Sequence, residues 1–200
     1  MSMQKKNKGF TLVELIVVLV ILAILAAILV PALLGYLDIA KDRQNIINAK
    51  NILTAMQTKL TDAYAAETDL SKIQKKEEDW SGTDFAKEIL ETADDDPYMA
   101  LIGVGNLTDV QNGKLPKHDA YTVYFAMYWD KYESAPIFFD GSKWSSEYPW
   151  KGDGDKNNYF MVNGEMKHMS FFFIADKSGK SNKWEHLKAR LKESDRNKYW

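Results

Sequence analysis

One carboxylate stands out in the N-terminal part of this chain of 200 residues. Glu14 interrupts an otherwise apolar stretch that runs from Phe10 to Leu34. An acidic side chain at the centre of a membrane helix costs about 2.5–3.5 kcal/mol, and less near the interface, so an ionisable group there indicates a function and needs a cationic partner. Glu14 is therefore the first candidate functional residue.

A second candidate is a loop rich in oxygen ligands. Asp153, Asp155 and Asn157 match the first three ligand positions of a calcium-binding loop. However, Asn158 stands where glycine is expected, and Gly164 stands where the bidentate glutamate should be. The segment is either a calcium site or, in the favoured interpretation, a polar turn without a metal.

The sequence contains no recognisable motif for catalysis. The three histidines are scattered, no H-E-x-x-H or Walker motif occurs, and cysteine is absent. Gly103-Val104-Gly105 lacks the third glycine and the preceding strand of a dinucleotide-binding fingerprint. We therefore expect a protein that is not an enzyme and that has no cofactor, apart from the calcium alternative.

Several aromatic residues lie in or beside apparent loops. These residues are Trp80, Trp144, Tyr148, Trp150 and Trp200. They could stack on sugars, which would make the protein a glycan binder, or serve as interface anchors. The tryptophans can equally be core residues, which is the favoured interpretation for at least half of them.

The elements that must position Glu14 follow from composition. In residues 15–34 only Pro31 is not plainly hydrophobic, and a helix of that length spans roughly 30 Å, the thickness of a bilayer core. Lys5, Lys6 and Lys8 precede the run, and a basic flank keeps that end in the cytoplasm. The run is longer than the apolar region of an ordinary signal peptide. We predict a single-pass membrane stem that carries a head outside the cell.

The overall net charge of −2 gives no sign of a nucleic-acid partner.

The segment Lys8-Gly9-Phe10-Thr11-Leu12-Val13-Glu14-Leu15 resembles the cleavage signature of type IV pilins and of the pseudopilins of type II secretion. A basic leader, Gly-Phe, Thr-Leu-Val-Glu, an apolar run and Pro31 occur in the order of that family. The resemblance covers residues 5 to about 37 and continues as a long helix to about residue 65. Beyond the helix only the general layout is similar.

The resemblance implies a processing pathway. A prepilin peptidase would cut between Gly9 and Phe10 on the cytoplasmic side, and the new amino group of Phe10 would be N-methylated. The cut would remove Lys5, Lys6 and Lys8 and leave 23 basic and 28 acidic residues, a net charge of −5. The implied partners are copies of the same chain, the prepilin peptidase, the assembly platform protein of the membrane, and minor pilins.

The resemblance also favours a role for Glu14 between subunits. The α-amino group of Phe10 on a neighbouring subunit titrates near 7.7–8.0 and is mostly cationic, and burying it unpaired in an apolar filament core would be costly. Glu14 would supply the opposite charge. A role within one chain stays open, because Glu14 lies one turn from the helix start and complements the helix dipole there.

A weak point in the stem is predicted at Pro31, which lacks an amide hydrogen, and at Gly35, four residues later. The alternatives are a simple kink and, as in filaments of the family, a stretch that loses helicity.

Helical periodicity continues beyond the stem. Pro31 is the only helix breaker before about residue 65, so we predict one helix of roughly 55 residues with an amphipathic second half. Its apolar stripe comprises Ile46, Ala49, Leu53, Met56, Leu60 and Ala63.

Further along the chain, apolar residues recur at every second position instead of at helical spacing. Residues 121–129 alternate as a half-buried strand does. Asp140-Gly141 and Asn163-Gly164 favour type I′ hairpin turns, the second between residues 159–162 and 166–174. Asn182 with Glu185 predicts the cap of a C-terminal helix.

We therefore predict an α+β fold, in which a long N-terminal helix packs on a C-terminal antiparallel sheet of about four strands, with a C-terminal helix. The predicted divisions are a cleaved leader (1–9), a hydrophobic transmembrane or filament-core helix (10–37) and an extracellular head (38–200). The head comprises an amphipathic helix (38–65), a connecting region (66–118) and the sheet with the last helix (119–200).

The leading hypothesis is a structural subunit that waits in the cell membrane and then polymerises through its N-terminal helix into an extracellular type IV pilus. The close alternative is a pseudopilin of type II secretion or of a competence system, in which DNA uptake would bring a nucleic-acid partner. A third is a membrane-anchored surface-binding protein that never polymerises. Motility, adhesion and secretion are not distinguished by the residues.

Overall fold

The computed structural model describes residues 10–70, 80–148, 159–162, 165–183 and 185–187. The chain divides into two units, Met1–Gln44 and Asn45–Trp200. The long helix α1 (Leu12–Ala65) contributes to both. The shorter helices among the described residues that follow it include α2 (Asp84–Ala93) and α3 (Leu107–Gln111).

In the part of the chain that the structure describes, six strands form one sheet in which every pair is antiparallel. They are β1 (Met99–Gly105), β2 (Val123–Trp129), β3 (Ile137–Phe139), β4 (Trp144–Ser145), β5 (Tyr159–Val162) and β6 (Glu165–Asp176). Their order in the sheet is β4-β3-β2-β1-β6-β5. The predicted α+β fold, a long helix with an antiparallel sheet, is confirmed.

The sheet has two strands more than the four predicted. The central strand β1 lies in the region that was expected to be only connecting, and all seven of its residues are buried. Ala100, Ile102 and Val104 belong to one core cluster, whereas Met99 and Leu101 belong to the other. Because both faces of β1 are covered, its sequence lacks the alternation that reveals a half-buried strand. Strand β4 has only two residues.

The predicted turns are partly reproduced. Strands β5 and β6 pair from Val162 and Glu165 outward, around the Asn-Gly dipeptide, which itself lies outside the described residues. Between β3 and β4, Phe139 pairs with Trp144 and the Asp140 amide donates to the Lys143 carbonyl at 3.2 Å. The turn is therefore centred on Gly141 and Ser142, one residue later than the predicted Asp140-Gly141 dipeptide. There the Asp140 side chain accepts hydrogen bonds from the backbone amides of Ser142 and Lys143.

The amphipathic half of α1 covers one face of the sheet. Ala49, Met56, Leu60 and Ala63 of the predicted stripe are buried. Two other members differ from the prediction, because Leu53 is only half-buried and Ile46 is 36% exposed. The buried face instead includes Ile52 and Ala55, which keeps the three-and-four spacing while rotating the stripe around the helix.

The last described segment is a short helical stretch. The Glu185 amide donates to the Asn182 side chain at 3.0 Å, as expected for a capped helix start. Leu187 is buried in the core cluster on the sheet face opposite α1. Trp184 and residues 188–200 lie outside the described residues.

Gln57 joins α1 to the start of β2. Its Nε2 donates to the carbonyl oxygen of Tyr121 at 2.9 Å, and its Oε1 accepts from the amide of Val123 at 2.9 Å. The Gln57 side-chain amide thus satisfies two backbone groups that would otherwise need hydrogen bonds from a neighbouring strand. Gln57 is not a member of the predicted apolar stripe, so the helical pattern alone gives it no partner in the head.

Replacing Gln57 by glutamate should lower the free energy of unfolding by about 2 kcal/mol, because a carboxylate would face the Tyr121 carbonyl oxygen and one donor would be lost. The measurement is urea unfolding of the full-length protein in detergent. Thr58→Ala, at an exposed neighbouring position, is the control and should change stability by less than about 0.5 kcal/mol. Equal stability of the two variants would contradict the prediction.

The run Asp94-Asp95-Asp96 forms the end of α2. Asp94 adopts a left-handed conformation (φ 52°), and its amide and that of Asp95 bond back to the carbonyls of Glu91 and Leu90. This is the helix-ending arrangement in which glycine is preferred. Asp95 accepts from the Tyr128 hydroxyl at 2.8 Å, and Asp96 pairs with Lys177 at 2.7 Å.

Asp94→Gly should therefore stabilise the protein by about 0.5–1 kcal/mol, since glycine lacks the Cβ penalty of the left-handed region. For a chain of this size the melting temperature should rise by about 1–4 °C. Asp94→Ala removes the same carboxylate but keeps a Cβ, and it should not stabilise. If both variants melted alike, charge rather than backbone conformation would explain the effect.

Candidate functional site

The N-terminal candidate site is organised around the start of α1. The Thr11 amide and hydroxyl both donate to Glu14 Oε2, at 2.8 Å and 2.7 Å. In return the Glu14 amide donates to Thr11 Oγ1 at 3.3 Å. This reciprocal arrangement is a capping box, which satisfies amides that the first helical turn leaves unpaired. Glu14 therefore has a structural role within one chain, and the T-x-x-E spacing that signals it was visible in the sequence.

The side chains that follow Glu14 are apolar and uncovered. Every large hydrophobic residue of α1 from Leu12 to Leu37 is at least 46% exposed, and Phe10 is 86% exposed. Among the described residues, α1 is the one helix long and apolar enough to cross a membrane, by length and composition. So much contiguous apolar surface is unfavourable in water and indicates contact with lipid or with other apolar helices.

Charged residues follow the apolar segment. Asp38 and Lys41 form an exposed ion pair at 3.8 Å, and Asp42 and Arg43 are also exposed. Charges of both signs at this point fit the boundary between an apolar environment and water.

Pro31 and Gly35, the predicted weak point, both lie inside α1, which is helical on either side of them. A Cβ built on Gly35 would meet no atom within 4 Å, so packing within the chain does not require glycine there. A kink or local loss of helicity at this point stays a prediction.

Several predicted site residues fall outside the described residues. They are Lys5, Lys6, Lys8 and Gly9 of the leader, and Asp153, Asp155 and Asn157 of the calcium candidate. In the described part of the chain, no group of three or more histidine, aspartate or glutamate residues is placed to hold a metal ion. Calcium binding stays an untested prediction.

The aromatic residues considered for glycan binding are partly core residues. Trp80 is fully buried and stacks on Phe172, with ring centroids 4.1 Å apart. Tyr148 is also buried, and half-buried Trp144 packs against Phe139. Trp80 and Tyr148 therefore follow the core alternative, and Trp144 packs against the core. Glycan binding stays an untested prediction; Trp150 and Trp200 lie outside the described residues.

Each histidine has its own partner. His168 Nδ1 lies 2.6 Å from Asp109 Oδ2, and His118 Nε2 lies 3.2 Å from Asp119 Oδ1. His186 Nε2 lies 2.9 Å from the Tyr98 hydroxyl. The hydrogen bond with His168 holds the pKa of the Asp109 carboxyl below its ordinary value. The three histidines therefore act as separate structural contacts.

Gly103 and Gly105 have a packing role that sequence reasoning missed. A Cβ on Gly103 would lie 2.8 Å from the ring of Phe171. A Cβ on Gly105 would lie 2.8 Å from the backbone carbonyl carbon and oxygen of Asp119. The two glycines allow close approach to the central strand, and they lie in a strand rather than in a phosphate-binding turn.

Comparison with known proteins identifies the N-terminal segment. Residues 4–30 match the family model described as the prokaryotic N-terminal methylation motif, which is the signature of type IV pilins and pseudopilins. The resemblance inferred from residues 8–15 is therefore confirmed. The match covers the leader and most of the apolar segment. A search of curated proteins gives no match, and neither does a search of solved structures. The motif supports a pilin-like or pseudopilin protein in general, processed by prepilin peptidase and anchored in the membrane before assembly.

Proposed function

We propose that this chain, which carries the pilin-type methylation motif, is a non-enzymatic structural subunit of a type IV pilus. The observation that carries the proposal is the uncovered apolar face of α1 from Leu12 to Leu37, much of which lies within the segment that matches the methylation motif. Such a segment needs an apolar environment at every stage. Lipid supplies it before assembly, and the stems of other subunits would supply it in a filament.

Processing would prepare the apolar part of α1 for its transfer from lipid to the filament. Cleavage between Gly9 and Phe10 removes the leader lysines and creates a new α-amino group two residues before the first residue of α1. Methylation of that amine keeps its positive charge. The subunit then presents a cation, a carboxylate one turn later and an apolar stem.

The charge pair would set the register of assembly. Moving an apolar helix from lipid to a bundle of apolar helices gains little from the hydrophobic effect, so packing and polar contacts decide how the helices align. An amino group of Phe10 placed against Glu14 of a neighbour would satisfy both charges. Within its own chain, the Glu14 carboxylate accepts hydrogen bonds from Thr11 at the helix start, where a negative charge complements the helix dipole.

The test is the N-terminus of the native protein, measured by mass spectrometry on sheared surface filaments and on membranes of the host. We expect a chain that begins with N-methylated Phe10 and is enriched in the sheared fraction. The same terminus found in membranes alone would favour a pseudopilin of secretion or DNA uptake. A chain that still begins near Met1, in cells with active peptidase, would contradict processing and leave a membrane-anchored binding protein.

A further inference from the structure

An apolar and basic patch lies on α1 where the head begins. Ile46 and Ile47 are 36% and 50% exposed. Lys50, which is exposed, follows them at the spacing that places side chains on one helix face. We call Ile46, Ile47 and Lys50 the isoleucine strip.

A groove with complementary features lies beyond the C-terminal end of α1. It has a volume of about 270 Å³ and an apolar floor that includes Leu70, Leu107 and Val110. Glu67 and Asp69 line one part of it, and Lys117 lines another. Lys117 Nζ also lies over the ring of Tyr64, at 5.8 Å from its centre. We call this the end groove; it could accept an aliphatic side chain that has a cation beside it.

Glu67 is held in place at the groove by the ending of α1. Its backbone is left-handed (φ 53°), its amide donates to the Tyr64 carbonyl at 3.1 Å, and the Thr68 amide donates to Ala63 at 2.8 Å. Glycine is the usual residue at this position of a helix end. Glutamate there accepts a conformational cost and points to a use for its carboxylate. In the part of the chain that the structure describes, neither Glu67 nor Lys50 forms an ion pair.

We propose that the isoleucine strip of one copy docks into the end groove of the next, with Ile47 on the apolar floor and Lys50 Nζ paired with Glu67. This inference rests on the proposed filament function. The two surfaces cannot meet within one chain, because Ile47 and the end of α1 at Ala65 are about 27 Å apart along the helix. Two different surfaces that fit each other make a head-to-tail contact. Such a contact builds an open helical polymer when the rotation between successive copies does not close into a ring, which is the case the proposed filament requires.

The absence of cysteine from the sequence allows a direct test. A chain carrying both Lys50→Cys and Glu67→Cys is expressed in the native host, and intact sheared filaments are treated with a short bismaleimide. Denaturing electrophoresis should then show a ladder of covalent dimers, trimers and longer species. Each single-cysteine chain should stay monomeric, because neither surface would contact its own copy.

The matched control pairs Lys50→Cys with Lys131→Cys, at an exposed position on the loop after β2; it should give no ladder. Filaments without a ladder in the Lys50–Glu67 pair would overturn the docking proposal and leave the pilus function standing. Dimers from either single-cysteine chain would also overturn it, since they indicate a two-fold contact. Absence of filaments from the unmodified protein would instead defeat the proposed function.

Charge reversal gives a second readout that does not depend on cross-linking. Lys50→Glu and Glu67→Lys should each lower the yield of sheared filaments about tenfold, because each places like charges together. The double variant should recover most of the yield. Unchanged yield in both single variants, or no recovery in the double variant while all heads melt normally, would overturn the pairing.

Discussion

Gly105→Ala is expected to destabilise the head by about 3 kcal/mol, a large fraction of the 5–15 kcal/mol typical of a folded domain. The new Cβ would lie 2.8 Å from two backbone atoms of Asp119, so no side-chain rotation can relieve the contact. Asp119 is itself held firmly. It is buried, its Oδ1 accepts from the Tyr124 hydroxyl at 2.8 Å, and its carbonyl accepts from the Thr122 amide.

The measurement is thermal unfolding of the full-length protein in detergent, followed by near-ultraviolet circular dichroism of the head's aromatic residues. A loss of this size corresponds to a fall in melting temperature of about 6–12 °C. Gly35→Ala is the control, because a Cβ there meets no atom within 4 Å; head melting should be unchanged. If the Gly105→Ala protein had the same melting temperature as the unmodified protein, β1 would not need this close approach to Asp119.

Glu14→Gln is expected to reduce surface filaments at least about tenfold while leaving the start of α1 capped. Glutamine occupies the same capping-box position as glutamate in many helices, so its side chain can still accept from Thr11. It carries no charge, however, and a neighbouring α-amino group would enter the filament core without a counter-ion. The yield of sheared filaments and the N-terminal mass should be measured together, to separate assembly from processing.

Thr11→Ala is the matched variant, since it removes the capping hydroxyl and keeps the carboxylate. It should cost the helix end about 0.5–2 kcal/mol and leave filaments near the normal level. If Thr11→Ala reduced surface filaments as strongly as Glu14→Gln, assembly would depend on the helix cap. The role of Glu14 within its own chain would then be sufficient to explain the loss of filaments.

The elements that local patterns specify were predictable from the sequence. The length of α1 followed from its periodicity and from Pro31 being its only breaker. Strands β2 and β6 followed from alternation and an Asn-Gly dipeptide. The methylation motif could be recognised from the order of residues around Gly9 and Glu14, because such a motif is one short contiguous segment.

The rest depends on contacts between distant residues. Strand β1 was missed because both of its faces are buried and its glycines resemble part of a ligand motif. In the sequence, Gln57 has the pattern of an ordinary polar residue on a helix. Its role depends on contacts with the backbone of Tyr121 and Val123, which lie more than sixty residues further along the chain. No local rule predicts such a partner.

The position of β6 beside β1 has a consequence for export. Met99 of β1 pairs with Asp176 of β6, so the central pair of strands joins residues that are far apart in the sequence. If the head is translocated from its N-terminal end, β1 leaves the membrane well before β6. Until β6 emerges, β1 pairs with β2 and exposes its other edge, which is a template for aggregation. Pairings this distant in sequence also form slowly. A head exported in this way would pair β1 with β6 only after Asp176 has crossed, and any factor that shields the edge of β1 during that interval should raise the yield of subunits.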